Sequence, residues 1–162
     1  MHLIKKNLVL AYLSLILLVL GCSPKLIPAS SIKNGNLSTY KYIYISPTTS
    51  LTSSSGTMIN GQYFSESKSV NPSDVIYGTL SKLGLIRLPE LKQELSEETL
   101  VVNYGESGRR SVGLGGYTIE VTIQFVSAKT NSLVCSCTAE GIGSTEADDI
   151  REAITRCLDE LK

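Results

Sequence analysis

The sequence predicts an α+β fold: a two-layer sandwich in which two helices cover one face of a mainly antiparallel sheet of roughly four or five strands. Three observations lead there. Tyr117 to Phe125 alternates without a break, with Tyr117, Ile119, Val121, Ile123 and Phe125 on one side and Thr118, Glu120, Thr122 and Gln124 on the other. A period of two with one apolar side means a sheet face that is buried and a face that is wet, which antiparallel sheets tolerate. Ile76, Leu80 and Leu83 recur at spacings of four and three, and Ala147, Ile150, Ile154, Cys157, Leu158 and Leu161 make a longer stripe of the same kind. Each stripe is the buried side of an amphipathic helix.

The elements follow in order. Residues 23–38 are rich in Pro, Ser, Asn and Gly with little periodicity and read as a flexible tether. Tyr40 to Ile45, aromatic and β-branched, is the first strand. Residues 46–56 are Ser- and Thr-rich and read as a loop, and Asn60-Gly61 is a hairpin turn between short runs 57–59 and 62–64. Asn71 caps a helix that has Pro72 in its first position, and Gly84 suits the left-handed residue that ends it. Leu85 to Leu88 is a short strand stopped by Pro89, and residues 90–98 form a helical turn. Thr99 to Tyr104, Tyr117 to Phe125 and Ser132 to Glu140 are the remaining strands, the last two joined by a turn at residues 128–131. Ser144 or Thr145 caps the final helix, whose first turn holds Glu146, Asp148 and Asp149, where the helix dipole favours negative charge.

The N-terminus carries an address. Lys5 and Lys6 precede an almost unbroken apolar run from Leu8 to Leu20, which is secretory-signal architecture and short for a spanning helix. The run ends Val19-Leu20-Gly21-Cys22, which resembles the lipobox of bacterial lipoproteins. That resemblance implies cleavage of a signal peptide spanning residues 1–21, acylation of Cys22, a lipidated tether over residues 22–38 and a single domain over residues 39–162. Several acyl chains such as palmitate hold a protein firmly, whereas one chain binds only marginally. Ser23 follows the cysteine rather than the Asp that would imply inner-membrane retention, and no acidic cluster lies just downstream. The expected location is therefore the outer membrane, facing the periplasm.

Loss of the leader also removes function classes. His2, the single histidine, leaves with it, and the chain has no Trp. Nucleophilic systems that shuttle a proton through imidazole are then unavailable, and zinc or non-haem iron sites lose their usual ligand. No catalytic residues, metal site or cofactor are assigned, and the protein reads as a non-enzyme. Near-balanced charge, 15 basic against 15 acidic residues in the whole chain, argues against a nucleic-acid partner.

Candidate sites are few. Residues 105–116 (GESGRRSVGLGG) read as a glycine-rich loop joining two strands, and Arg109 and Arg110 supply two guanidinium forks suited to carboxylate or phosphate. The loop is the leading candidate for binding an anion or a partner, against a plain solvated hairpin loop. Cys135 and Cys137 share a strand face with Cys157 opposite, so Cys157 can form a disulfide with Cys135 or with Cys137, or all three can pack as thiols. Tyr40, Tyr42 and Tyr44 fall on one strand side, either as a stacking surface or as packing.

With these elements placed, the chain is similar to the DUF4136-like group of small periplasmic lipoproteins from Bacteroides-type bacteria. The resemblance rests on the lipobox, the segment from the first helix to Gly84, TLVVNYGESGRR, GGYTIEVTIQF and the terminal TEADDIREAI. It implies a lipobox and one α+β domain, with no catalytic residues to carry over. The expected function is that of a lipid-anchored accessory or scaffold acting through an envelope protein or a peptidoglycan partner. The alternative is a small-ligand or glycan-binding module built on the tyrosine strand and the Asn60-Gly61 hairpin.

Overall fold

The computed structural model describes residues 25–113 and 116–161. The leader, the lipobox with Cys22, and Leu114-Gly115 lie outside the described residues. Eight strands and two α-helices run in the order β1 (Ser30–Lys33), β2 (Tyr42–Ile45), β3 (Leu51–Ile59), β4 (Gln62–Val70), α1 (Pro72–Leu80), β5 (Ile86–Arg87), β6 (Thr99–Gly113), β7 (Gly116–Ser127), β8 (Leu133–Gly141) and α2 (Glu146–Asp159). The architecture is α+β and roughly two-layered, as the alternation and the two stripes require. The sheet is larger than expected. It has six strands in the order β1-β8-β7-β6-β2-β5, and β3 and β4 make a separate two-stranded sheet.

The main sheet is mixed, because β2 pairs in parallel with both β5 and β6 while β6, β7, β8 and β1 are antiparallel. Its helix-facing side carries Ile43, Ile45, Leu100, Val102, Val121, Ile123, Phe125 and Ala139, all buried against Ile76 and Leu80 of α1 and Ile150, Ala153, Ile154 and Leu158 of α2. Full burial of a side chain of this size contributes about 1.5–3 kcal/mol, so this one continuous core is the main source of stability. Local signals act as expected at the helix ends. The Asn71 side chain accepts from Ser73 N–H at the start of α1, Thr145 caps α2, and Gly84 takes a φ of +83° where the first helical segment stops.

Three segments depart from the sequence reading, all for the same reason: a strand can be built from polar residues when a neighbour completes its hydrogen bonds. Part of the expected tether is in the fold. Ser30–Lys33 pairs with β8 from Ser30↔Thr138 to Lys33↔Cys135, and Leu37–Thr39 form a 3-10 turn. The expected loop at 46–56 is largely strand, so the hairpin about Asn60-Gly61 has nine residues on each side rather than three. The turn itself is as expected, with both residues at positive φ, 50° and 77°. The expected glycine-rich loop at 105–116 is the outer half of a long β6–β7 hairpin, interrupted by bulges between Glu106 and Gly108 and between Ser111 and Gly113.

The face expected to be wet is wet only in part. Glu120, Thr122, Ser136 and Thr138 are half-buried and Gln124 is exposed, but Thr118 is fully buried. A polar ladder crosses the middle of this face, from Ser107 to Glu120 and from Thr122 to both Ser107 and Thr138.

Candidate functional site

The bulge after Glu106 shifts the strand's alternation by one residue and so decides which face each arginine takes. Beyond it Arg109 lies opposite Ile119 on the helix side, and Arg110 lies opposite Thr118 on the outer side. Arg109 reaches Glu146 in the first turn of α2, and its guanidinium sits 5.2 Å from the Tyr117 ring centre. Arg110 donates from Nε and Nη2 to the two oxygens of Glu140, at 2.7 and 2.6 Å. Both candidate arginines are thus in strand and engaged with internal carboxylates, rather than displayed on a loop.

Glu140 is the centre of a clamp on the N-terminal segment. It is a carboxylate only 3% exposed, on the sheet face that was expected to be solvated. Besides Arg110 it accepts from Thr118 Oγ1 at 3.2 Å and from the backbone N–H of Ile27 at 2.9 Å. Arg110 also donates to the carbonyl of Lys25 at 3.2 Å. Arg156, from α2, donates to the carbonyl of Ile27 at 2.9 Å and to the carbonyl of Glu140 itself. A buried charge is tolerable only when paired and hydrogen-bonded, and here three of the contacts also fix backbone at Lys25 and Ile27. The Arg110 guanidinium, helped by the Ile27 and Thr118 donors, holds the Glu140 carboxyl at about 2, against the opposing effect of burial.

A second group of ion pairs roots the β3–β4 hairpin. Lys68 lies 2.9 Å from Asp148 and 3.4 Å from Glu66, and also donates to Ser144. The backbone N–H of Ala147 donates to Ser53 Oγ at 2.9 Å, and Arg151 reaches the carbonyl of Ser69. Lys68, then Ser144 and Thr145, hold the Asp148 carboxyl at about 2. Asp149 is shifted upward, chiefly by burial, and accepts from the Gly143 N–H. The acids at the start of α2 therefore do more than complement its dipole: three of them fasten neighbouring segments. Among the described residues, no group of three or more His, Cys, Asp or Glu side chains could hold a metal ion.

Beyond this root the hairpin is an arm whose tip is exposed among the described residues. Its tip carries Met58 at 72% exposure, Tyr63 at 69%, Ile59 and Phe64. Pairing places Met58 opposite Tyr63 on one face, while Thr57 faces Phe64 and Ile59 faces Gln62 on the other. The Tyr63 ring lies across Gly56, where a Cβ would meet its hydroxyl at 2.0 Å. The Asn-Gly signal locates this turn in the sequence, but no sequence pattern marks the tip as unburied.

The tyrosines do not form one platform. Tyr40 precedes β2 and packs against the core, whereas Tyr44 lines an open groove of about 650 Å³ with Tyr77, Arg87, Asn71 and Ser73. Arg87 lies 5.7 Å from the Tyr77 ring and 3.1 Å from Asp74. The start of α1 inside the groove is already satisfied, since Ser73 N–H donates to both Thr48 and Asn71. Asn60-Gly61, the other half of the expected ligand surface, is on the arm and not in this groove.

Of the two disulfide pairings open in the sequence, the structure has Cys137 with Cys157, joining β8 to α2 at a Cα separation of 5.2 Å. Cys135 is a free buried thiol, pushed up to about 11 by burial.

No family model matches the chain, and no curated protein sequence does. Among solved structures, a PelC variant dodecamer from Paraburkholderia phytofirmans aligns with a TM-score of 0.48 at 14% identity, over 82% of this chain and 95% of that one. A second PelC dodecamer from the same organism gives 0.47 at 15% identity, with the same coverage. Likeness at this level says nothing of this chain's assembly or chemistry.

Proposed function

We propose that this chain is a lipid-anchored, non-enzymatic protein of the bacterial envelope, similar to the DUF4136-like lipoproteins, held by an acylated Cys22 on the periplasmic side of the outer membrane. It acts as an accessory or scaffold through an envelope protein or a cell-wall partner. The observation that carries this reading is the clamp. Arg110, Glu140 and Arg156 hold the backbone at Lys25 and Ile27, only three residues after Cys22. A flexible tether would let a domain wander over tens of ångströms, but three residues span at most about 11 Å. Such a clamp is useful to a protein that must stand in a set orientation on a surface. It has no evident use if residue 25 is simply the loose start of a soluble domain.

The test is to express a C-terminally tagged chain with an alkyne fatty acid, beside Cys22→Ser, then crosslink intact cells and identify what is captured. The expected result is label and membrane recovery with Cys22 alone, together with a specific envelope partner captured only by the anchored form. Label-free Cys22, or equal membrane recovery of both forms, overturns the anchoring.

A second reading is a small-ligand or glycan-binding module. The groove beside Tyr44 and Tyr77 supports it, having two aromatic faces and the Arg87 and Asn71 donors on one open concavity. Chemical-shift changes confined to Tyr44, Tyr77 and Arg87 on titration with cell-wall oligosaccharides would favour it over the scaffold reading.

A further inference from the structure

The arm and the anchor leave the body at the same end. Towards its tip the arm touches successively earlier positions of α2: Ser69 meets Arg151, then Lys68 meets Asp148 and Ser144. It therefore runs along α2 towards that helix's N-terminus and continues past it. The chain preceding β1 runs the same way. Ser30 pairs with Thr138, Ile27 bonds Glu140, and Lys25 bonds Arg110, whose strand neighbour Arg109 reaches the first turn of α2. From Lys68 to the Gly61 turn is seven strand steps, or about 23 Å. From Lys25 to Cys22 the chain reaches at most about 11 Å. A surface that holds Cys22 is consequently within reach of the arm tip, whose span from its root exceeds the reach from Lys25 to Cys22 by about 12 Å.

The tip is made for such a surface. No charged residue occurs between Leu51 and Ser65, and the first, Glu66, is back on the stem. Ile59 and Phe64 lie on one face and Met58 and Tyr63 on the other. A protein groove or a pairing strand would take one face, whereas a lipid surface takes a tip that is apolar on both. That excess is enough to seat apolar side chains at the headgroup–acyl boundary, about 5–10 Å deep. Deeper insertion is disfavoured, because the open strand edges and Asn60 and Gln62 need water or headgroup partners.

We infer that Met58, Ile59, Tyr63 and Phe64 form a second, non-covalent membrane contact, seated in the interfacial zone of the same bilayer that holds Cys22. This rests on the anchoring reading above. Two contacts some distance apart fix the domain's orientation, where a lipid alone leaves it free to swivel.

The test uses the full acylated protein in vesicles of phosphatidylethanolamine and phosphatidylglycerol, with an environment-sensitive NBD fluorophore on Met58→Cys. A label on Lys129→Cys, at the far end of the β7–β8 hairpin, is the reference, and Gln62→Cys is a second tip site should the first label disturb the fold. The mass of the N-terminal peptide reports acylation separately. The expected result is acylated Cys22, a blue-shifted tip label and several-fold stronger quenching by nitroxide lipids at the tip than at position 129. Acylated protein whose tip label is as water-exposed as position 129 overturns the membrane contact and leaves the anchoring standing. Absence of acylation overturns both. A blue shift in lipid-free Cys22→Ser protein that grows with concentration overturns the lipid assignment in favour of a second copy of the chain.

Discussion

Replacing Glu140 by Gln tests the clamp with little change in shape. The amide keeps one acceptor oxygen but turns an NH2 towards Arg110 or the Ile27 N–H, so a donor faces a donor. Glu140 is held at about 2 in the folded protein against 4.5 for an ordinary Glu, which corresponds to at most about 3 kcal/mol at neutral pH. The Arg110 side chain is 40% exposed and can recover water when its partner is lost, so about 2 kcal/mol is the working figure. For a domain of this length that is a fall in Tm of about 8 °C. The folded value lies below the unfolded one. The contribution is therefore full above about pH 4.5 and is lost as the pH falls towards 2. Thermal melts of wild type and Glu140→Gln at pH 7 and pH 3 should show the gap shrinking by about half, because at pH 3 the unfolded chain has taken up the proton while folded Glu140 is still mostly ionised. Trypsin supplies a local readout, since release of residues 25–27 should speed cleavage after Lys25. The reasoning fails if the variant melts within about 2 °C of wild type at pH 7, or if the gap is the same at both pH values.

Three further outcomes are expected. Cys137→Ser or Cys157→Ser should cost about 3 kcal/mol from the freed 20-residue loop, seen as a Tm drop of about 12 °C that dithiothreitol reproduces in wild type; Cys135 should stay unreactive to thiol reagents until the protein unfolds. Gly141→Ala should be among the most damaging small substitutions, at about 3 kcal/mol, because its Cβ would lie 1.9 Å from the Asp149 carbonyl oxygen and 2.5 Å from the Ala153 nitrogen; both are backbone of α2 and neither can rotate away, so a near-wild-type melting curve would count against the α2–β8 packing described here.

Much of the fold is legible in the sequence because the signals that build it are short-range. Alternation from Tyr117 to Phe125, the two helical stripes, the caps at Asn71 and Thr145 and the turn at Asn60-Gly61 each depend on residues within one element of their own. An amphipathic segment must bury its apolar side, so these patterns determine two helices against an antiparallel face before any contact is known. The same is true of the lipobox-like run ending at Cys22, which is read from sequence alone.

What the sequence left open depends on partners far along the chain. Nothing in SSIK or LTSSSGTMI is apolar and alternating enough to announce a strand, and each becomes one because β8 or β4 supplies its hydrogen bonds. The choice of Cys137 over Cys135 for Cys157 was set by the docking of α2 on β8. Neighbouring strand residues face opposite ways, but the bulge after Glu106 shifted that alternation by one residue, so that Arg109 and not Arg110 took the helix side, a phase the sequence does not show. Burial of Glu140 needed four separate segments: β6, β7, α2 and the chain before β1. Exposure of the arm tip arose from the reverse cause, an apolar group that no described segment buries. Local pattern dictates what a residue would prefer to be near, and only the closed tertiary structure decides whether anything is there.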